Sequence, residues 1–553
     1  MTNRPSLSAA RRGLRPLTVM VLAALWVASI GNLALWRGLA ALPELGNTRG
    51  LLFGLAFALM IGAVHVALSA LFAWRWTLKP MLTVVLLAAA AGAYFMLSYG
   101  VVIERTMMVN VLLTDSREAR ELLSWRMAGA LLLLGVLPVA LLWRTRIAWP
   151  TPGRQARNNL FTVVAGLAVA VAAMGLSFQD LSATMRNHTQ LRYLINPLNS
   201  FYAIAILGQQ PIQRNGAAVL PLGEDAHVAP RPADARPPLV LLVVGETARS
   251  DHFGLNGYAR DTTPELAARG VVSLRNAWSC GTNTAASVPC MFSPLGRVAF
   301  NERQDNTEGL ADVLQHAGYA VLWLDNQAGG CKGVCDRVPT VDDQALQTPG
   351  LCDAEGECLD EVMLNGLDER IAQLPFDRRA RGVVVFMHQM GSHGPAYYKR
   401  SPKAFKKFEP ECTTNALQQC SREQVVNAYD NTIVYTDHVL ASDIDWLKAH
   451  ETNWAPALMY LSDHGESLGE NNLYLHGLPY RFAPDVQKHI PWIFWLSPQF
   501  QQQSGITQAC LGKLRDEKVS QDDYFHTVLG LLGVATRVYQ PARDMGVMCR
   551  AAG

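Results

Sequence analysis

The sequence predicts an α-helical membrane segment of five spans followed by an α/β outer domain with a central, mostly parallel sheet covered by helices on both faces. Three observations predict it. Five windows in the first third contain no Asp, Glu, Lys or Arg. All ten cysteines lie from Cys280 onward. From Leu239 the pattern changes to short apolar runs separated by helical stretches. The expected division is 1–179 for the spans, 180–236 for interfacial helices and a Pro-rich linker, and 237–553 for the outer domain.

The charge-free windows are 17–36, 51–74, 80–103, 127–143 and 160–178. A spanning helix needs about 17–25 apolar residues, and the fourth window is the shortest. One such window would suit a buried core helix, but five in succession suit a bundle in lipid. The first is too long for the h-region of a cleaved signal peptide. Orientation follows from Lys and Arg. Arg4, Arg11, Arg12 and Arg15, then Arg75 and Lys79, then Arg144, Arg146, Arg154 and Arg157 fall on one side. That side is cytoplasmic, so the loop 104–126 and everything after 178 lie outside. In this loop the arginines are accompanied by Glu104, Asp115, Glu118 and Glu121. His65 is the only histidine or charged residue in the five windows, and it reads as packed within the bundle.

Composition agrees. The chain has 553 residues, 50% of them hydrophobic and 17% charged, with a net charge of +2. Disorder requires low hydrophobicity and high charge, so it is excluded, as are a disulfide miniprotein and a collagen-like chain. Near-neutral charge argues against nucleic acid as a partner. Outside a bacterial-type inner membrane thiols become disulfides. The short spacings favour sequential pairing: Cys280 with Cys290, Cys331 with Cys335, Cys352 with Cys358, Cys412 with Cys420, and Cys510 with Cys549. A zinc site at Cys331 and Cys335 is the rival reading. Residues 180–207 mix apolar and polar types and suit the membrane surface, where 193–206 would guide acyl chains. The run Ala229-Pro-Arg-Pro-Ala-Asp-Ala-Arg-Pro-Pro238 reads as a stiff linker.

In the outer domain, 239–244, 318–324, 382–387, 457–461 and 490–495 read as strands buried on both faces. Helical stretches at 309–316 and 359–374 intervene, as in parallel sheets. Such sheets bind ligands beyond the carboxyl ends of their strands. Those ends carry Gly245-Glu246-Thr247, His388 through His393, and Ser462-Asp463-His464-Gly465-Glu466. Glu246, Asp463 and His464 suit a divalent metal such as zinc. The small, polar segment Cys280-Gly281-Thr282-Asn283-Thr284-Ala285-Ala286-Ser287 ends like a helix start, where amides bind anions. A metal-held hydroxyl there becomes a nucleophile, and Thr282, Thr284 and Ser287 are the candidates.

Together, Gly245-Glu246-Thr247-Ala248-Arg249, Leu255-Asn256-Gly257-Tyr258, Cys280-Gly281-Thr282-Asn283-Thr284, Ser287-Val288-Pro289-Cys290-Met291-Phe292-Ser293, Gly391-Ser392-His393-Gly394-Pro395 and Ser462-Asp463-His464-Gly465-Glu466-Ser467-Leu468-Gly469-Glu470 resemble the lipid A phosphoethanolamine transferases. These include the mobile colistin-resistance proteins and belong to the alkaline phosphatase and sulfatase superfamily. The resemblance covers nearly the whole chain.

It implies an alkaline phosphatase-like outer domain in the periplasm, anchored in the inner membrane and working as a monomer. It implies Thr284 as nucleophile, and Glu246, Asp463 and His464 with Thr284 as ligands of one tight Zn2+, a weaker second zinc being admitted. His393, His476 and Lys332 would contact substrate. Asn110, Thr114 and Glu118, spaced to share a helical face, would hold the ethanolamine lipid. The implied reaction moves phosphoethanolamine from phosphatidylethanolamine to a lipid A phosphate through a phosphothreonine, giving resistance to polymyxin and other cationic peptides. A lipopolysaccharide core sugar or another periplasmic glycan is the alternative acceptor. A sulfatase would need an arginine where Met291 stands. A noncatalytic sensor or transporter would be expected to lack a ligand or carry intramembrane charge. The run Lys399, Arg400, Lys403, Lys406 and Lys407 reads as a solvated face.

Overall fold

The computed structural model describes residues 13–113, 116–209, 219–232, 234–327, 329–354 and 356–550. Thr114 lies outside the described residues. The chain forms two compact units. One is Met1–Met108 with Leu123–Gln210, and the other is Val109–Leu122 with Pro211–Gly553. The second unit thus includes part of a loop that the sequence division placed with the spans.

The first unit holds five helices long and apolar enough to cross a membrane. They are α1 (Pro16–Ala40, with a 3-10 turn at Ile30–Asn32), α2 (Thr48–Leu71), α3 (Leu78–Tyr99), α4 (Trp125–Arg144) and α5 (Pro152–Leu176). Leu51, Leu52, Leu55 and Leu59 leave α2 fully exposed along one face, which is stable only against lipid. On its other face α2 meets α5 closely: a Cβ on Gly166 would stand 3.0 Å from the Ala63 carbonyl and from the Ala67 methyl. Small residues allow such approach in membranes. In α4 a π-helical turn at Leu132–Val136 precedes Pro138, whose ring nitrogen has no hydrogen to donate. Asn196 ties the segment after α5 back to the bundle, its amide donating to the carbonyls of Gly31 at 2.8 Å and Ala89 at 2.7 Å.

The second unit is built on an eight-stranded sheet. Its strands are β1 (Pro238–Gly245), β2 (Val272–Trp278), β3 (Ala320–Asp325), β4 (Thr340–Asp342), β5 (Val383–His388), β6 (Ala455–Ser462), β7 (His489–Leu496) and β8 (Val519–Ser520). Their order is β8-β2-β7-β6-β1-β5-β3-β4. The centre, β6-β1-β5-β3, is parallel, and β7 runs antiparallel to both its neighbours. Side chains of a strand alternate between faces. Val240, Leu242 and Val244 therefore enter one core with Trp323 and Phe386, while Leu239, Leu241 and Val243 enter the other with Leu322 and Met387. Two buried faces explain why β1 is apolar throughout.

Helix α6 (Thr284–Met291) follows β2, and α7 (Arg422–Ala449) packs on the second core. A capping box starts α7: Ser421 Oγ accepts from the Gln424 amide at 3.2 Å, and Gln424 Oε1 accepts from the Ser421 amide at 2.9 Å. The cysteines pair in sequence order, Cys280–Cys290 through Cys510–Cys549.

The register decides where chemistry can sit. Val244 of β1 pairs with His388 of β5, His388 with Asp325 of β3, and Gly245 of β1 with Ser462 of β6. Four carboxyl ends therefore stop at one level, and Glu246, Asn326, Gln389 and Asp463 emerge side by side.

Candidate active site

Glu246 and Asp463 are the first residues past their strands, and His464 follows Asp463. One ligand atom from each lies within 4.8 Å of the other two, and all three side chains are buried. His464 Nε2 is 3.3 Å from Asp463 Oδ2 and 3.4 Å from Glu246 Oε1. Its Nδ1 lies 2.9 Å from the Gly465 carbonyl. A proton on Nδ1 satisfies that carbonyl, so the Nε2 lone pair faces the two carboxylates. Asp463 Oδ2 is buried and accepts no hydrogen bond.

Thr284 supplies a fourth donor. Its hydroxyl donates to Glu246 Oε2 at 3.0 Å and lies 3.4 Å from His464 Nε2. It is placed by the start of α6, where Asn283 caps the helix by accepting from the Ala286 amide at 3.0 Å. The other two hydroxyl candidates face elsewhere or stay unpartnered. Thr282 donates to the Leu478 carbonyl at 2.7 Å, and Ser287 Oγ is buried without a partner.

Three oxygens and one imidazole nitrogen converge, with an orphaned carboxylate oxygen and a lone pair aimed inward. That donor set suits a tetrahedral zinc, and the residues fit the ion. The Cys331 and Cys335 thiols are joined to each other, which removes them as ligands.

Several neighbours hold the ligands still. Thr247 donates its hydroxyl to Glu246 Oε1 at 2.5 Å and its amide to Asp463 Oδ1 at 3.0 Å. It does so at φ 61°, a conformation rare for a β-branched residue. Gln327, two residues past β3, donates to Glu246 Oε2 at 3.1 Å and accepts from the Gly329 amide at 2.5 Å. Lys332 donates to the Gly329 carbonyl at 2.8 Å, which joins its segment to the same chain of contacts. Gly391 has φ 51°, and a Cβ there would stand 2.8 Å from the Glu246 carbonyl oxygen.

The imidazoles extend the site. The His476 ring lies 4.3 Å from that of His464 and 6.1 Å from that of His393, centre to centre. His476 Nδ1 is 3.4 Å from Glu466. Burial opposes a charge on His476, but Glu466 outweighs it and raises the imidazole above its ordinary range. Burial likewise pushes the Glu246 carboxyl up, yet His464, His393 and His476 together hold it low. Asp463 is raised, by burial first and the Glu246 charge second. His388 is fully buried beneath the site with Asp325 3.4 Å away.

Of the remaining expected residues, Asn110 lies in the helix Arg105–Leu113 and Glu118 in Ser116–Glu121. The run at 399–407 is not one solvated face. Arg400 is buried, Lys406 pairs with Glu411, and Lys407 pairs with Asp261. Sequence reasoning did not single out Gln327, Thr247 or Arg400. Gln327 and Thr247 stand just past strand ends, so the rule that found Glu246 applies to them as well.

A mostly parallel sheet with a hydroxyl, two carboxylates and an imidazole at its carboxyl edge defines an enzyme domain of sulfatase type. The sulfatase family model matches residues 238–534, and that for phosphoethanolamine transferase EptA/EptB matches 61–212. The phosphoethanolamine transferase EptA of Salmonella typhimurium strain LT2 is 40% identical over 541 residues, covering 96% of this chain and 96% of that protein. The phosphatidylethanolamine transferase Mcr-1 from Escherichia coli is 35% identical over 533 residues, covering 95% of this chain and 96% of that protein. The integral membrane lipooligosaccharide phosphoethanolamine transferase A of Neisseria meningitidis matches in structure with a TM-score of 0.92 at 33% identity, over 98% of this chain and 100% of that one. The chain belongs to the phosphoethanolamine transferase family and is a multi-pass inner-membrane protein.

Proposed function

We propose that this enzyme transfers phosphoethanolamine from phosphatidylethanolamine to a phosphate of lipid A, with Thr284 as the residue that carries the group. The observation that supports this most is the placement of the Thr284 hydroxyl, 3.0 Å from Glu246 Oε2 at the first turn of α6. A bound zinc, held by Glu246, Asp463, His464 and Thr284, would lower the hydroxyl's pKa and offset charge on the phosphoryl oxygens.

The chain's own residues do the rest. Thr284 Oγ attacks phosphorus, the bond to the diacylglycerol oxygen breaks, and that oxygen leaves as the alcohol with a proton. A lipid A phosphate oxygen then attacks the phosphothreonine and Thr284 leaves. Amides at the start of α6 stabilise the developing oxyanion. His393, His476 and Lys332 balance the charge of donor or acceptor phosphate. Asn110, Thr114 and Glu118 hold the ethanolamine lipid. Two lipid substrates suit an enzyme fixed to the same membrane, since anchoring raises effective concentration. Capping lipid A phosphates with an amine reduces the surface charge that draws cationic peptides, so resistance to polymyxin follows.

The test is peptide mapping after incubation of the full chain with phosphatidylethanolamine and no acceptor. Phosphoethanolamine on Thr284 supports the reading. Modification of any other residue, with Thr284 unmodified, overturns the assignment of the nucleophile.

A further inference from the structure

We infer that Arg400 is a positioning residue that locks the outer loop helix Ser116–Glu121 onto the His393 segment, so that the donor-lipid loop and the phosphate-handling histidines are held by one buried cation. The inference rests on the proposed reading of Asn110, Thr114 and Glu118 as donor-binding residues.

The geometry is specific. The Arg400 side chain is 3% exposed and that of Glu121 is 4% exposed. Nη2 of the guanidinium donates to Glu121 Oε2 at 2.6 Å, and Nη1 donates to Glu357 Oε2 at 2.7 Å. Its Nε donates to the His393 carbonyl at 3.0 Å. One planar group thus reaches the loop, the segment beside the Cys352–Cys358 disulfide, and the backbone of a site histidine. Glu121 ends its helix, and its free carbonyl accepts from the Asn415 side chain at 2.6 Å. The loop is therefore held by both an ion pair and a cap.

An arginine does not shed its proton. A guanidinium out of water needs its partners, and removal of one leaves an uncompensated buried charge. The loop helix supplies one of two carboxylates, so the cation favours the docked state over any other. Glu118 precedes Glu121 by one helical turn, and docking of Glu121 fixes where that turn stands. The same cation fixes the His393 carbonyl. A flexible loop carrying the donor-binding residues would pay its ordering entropy at each turnover; a docked loop does not.

The test uses the full chain in vesicles containing phosphatidylethanolamine. Glu121→Lys places a cation against Arg400, while Glu357 still pairs with that residue. Asn415→Ala removes only the cap and serves if Glu121→Lys folds poorly. We expect amide hydrogen exchange across 109–122 to quicken about tenfold in Glu121→Lys, and the KM for phosphatidylethanolamine to rise about tenfold with kcat within about threefold. Asn415→Ala moves both in the same direction by less. Unchanged exchange overturns the locking role. Faster exchange with unchanged KM overturns its service to the donor. If wild-type Thr284 takes no label from phosphatidylethanolamine, the proposed function fails by itself, and the exchange measurement still decides the lock.

Discussion

Gln327→Leu removes one hydrogen bond from Glu246 and leaves the four metal-ligating residues untouched. The wild-type amide donates to Glu246 Oε2 at 3.1 Å and is itself fixed by the Gly329 amide at 2.5 Å. A hydrogen bond to a charged group contributes about 1.5–3 kcal/mol. Both groups are buried, so water does not replace the lost donor. At about 1.4 kcal/mol per factor of ten, zinc affinity should fall roughly 10–100-fold, the range seen when partners of metal ligands are removed. The assay is competition for zinc against a chromophoric chelator, with the melting temperature of the metal-free protein as control for folding. Zinc affinity within about twofold of wild type, in a folded variant, refutes the reasoning.

Three further outcomes follow from the geometry. Gly391→Ala drives a methyl group against the Glu246 carbonyl at a φ of 51°; it should cost about 1–3 kcal/mol in chemical unfolding, and an unchanged midpoint contradicts the close approach. Ser421→Ala removes the cap of α7 and should cost about 1 kcal/mol, with no change in zinc affinity. Burial pushes Asp437 up to about 7. Between about pH 4, where the unfolded carboxyl titrates, and pH 7 the native state keeps a proton that the unfolded chain releases. That group's contribution to stability therefore falls as pH rises through this window. Asp437→Asn should flatten the slope there, and an undiminished slope contradicts the raised value.

Much of the site was legible because strand ends are legible. Uniformly apolar runs such as 239–244 mark buried strands, and the polar residues that close them must stand at the sheet's edge. Glu246, Asp463 and His464 follow from that rule alone. The nucleophile did not follow from residue types. Thr282, Thr284 and Ser287 were chemically equivalent candidates, and the difference is that Thr282 spends its hydroxyl on the Leu478 carbonyl. Strand direction was not legible either: β7 is as apolar as β1 yet runs antiparallel to its neighbours. The long helix α7 hides its period because Asn427, Asp430, Asn431, Asp437 and Asp443 are buried on its packed face. Arg400 was invisible for a related reason. In sequence it is one of a run of cations, and only the fold brings Glu121, from 279 residues away, to its side.

The central claim is that Thr284 carries phosphoethanolamine from a phospholipid to lipid A. Lipid A mass spectrometry tests it most directly, in a bacterium whose lipid A lacks phosphoethanolamine, expressing either the wild-type chain or Thr284→Ala. The account predicts a new phosphoethanolamine-bearing lipid A with the wild-type chain and none with the variant. A modified lipid A in both strains contradicts the role of Thr284. An unmodified lipid A in both, with folded and zinc-loaded protein in the membrane, contradicts lipid A as the acceptor.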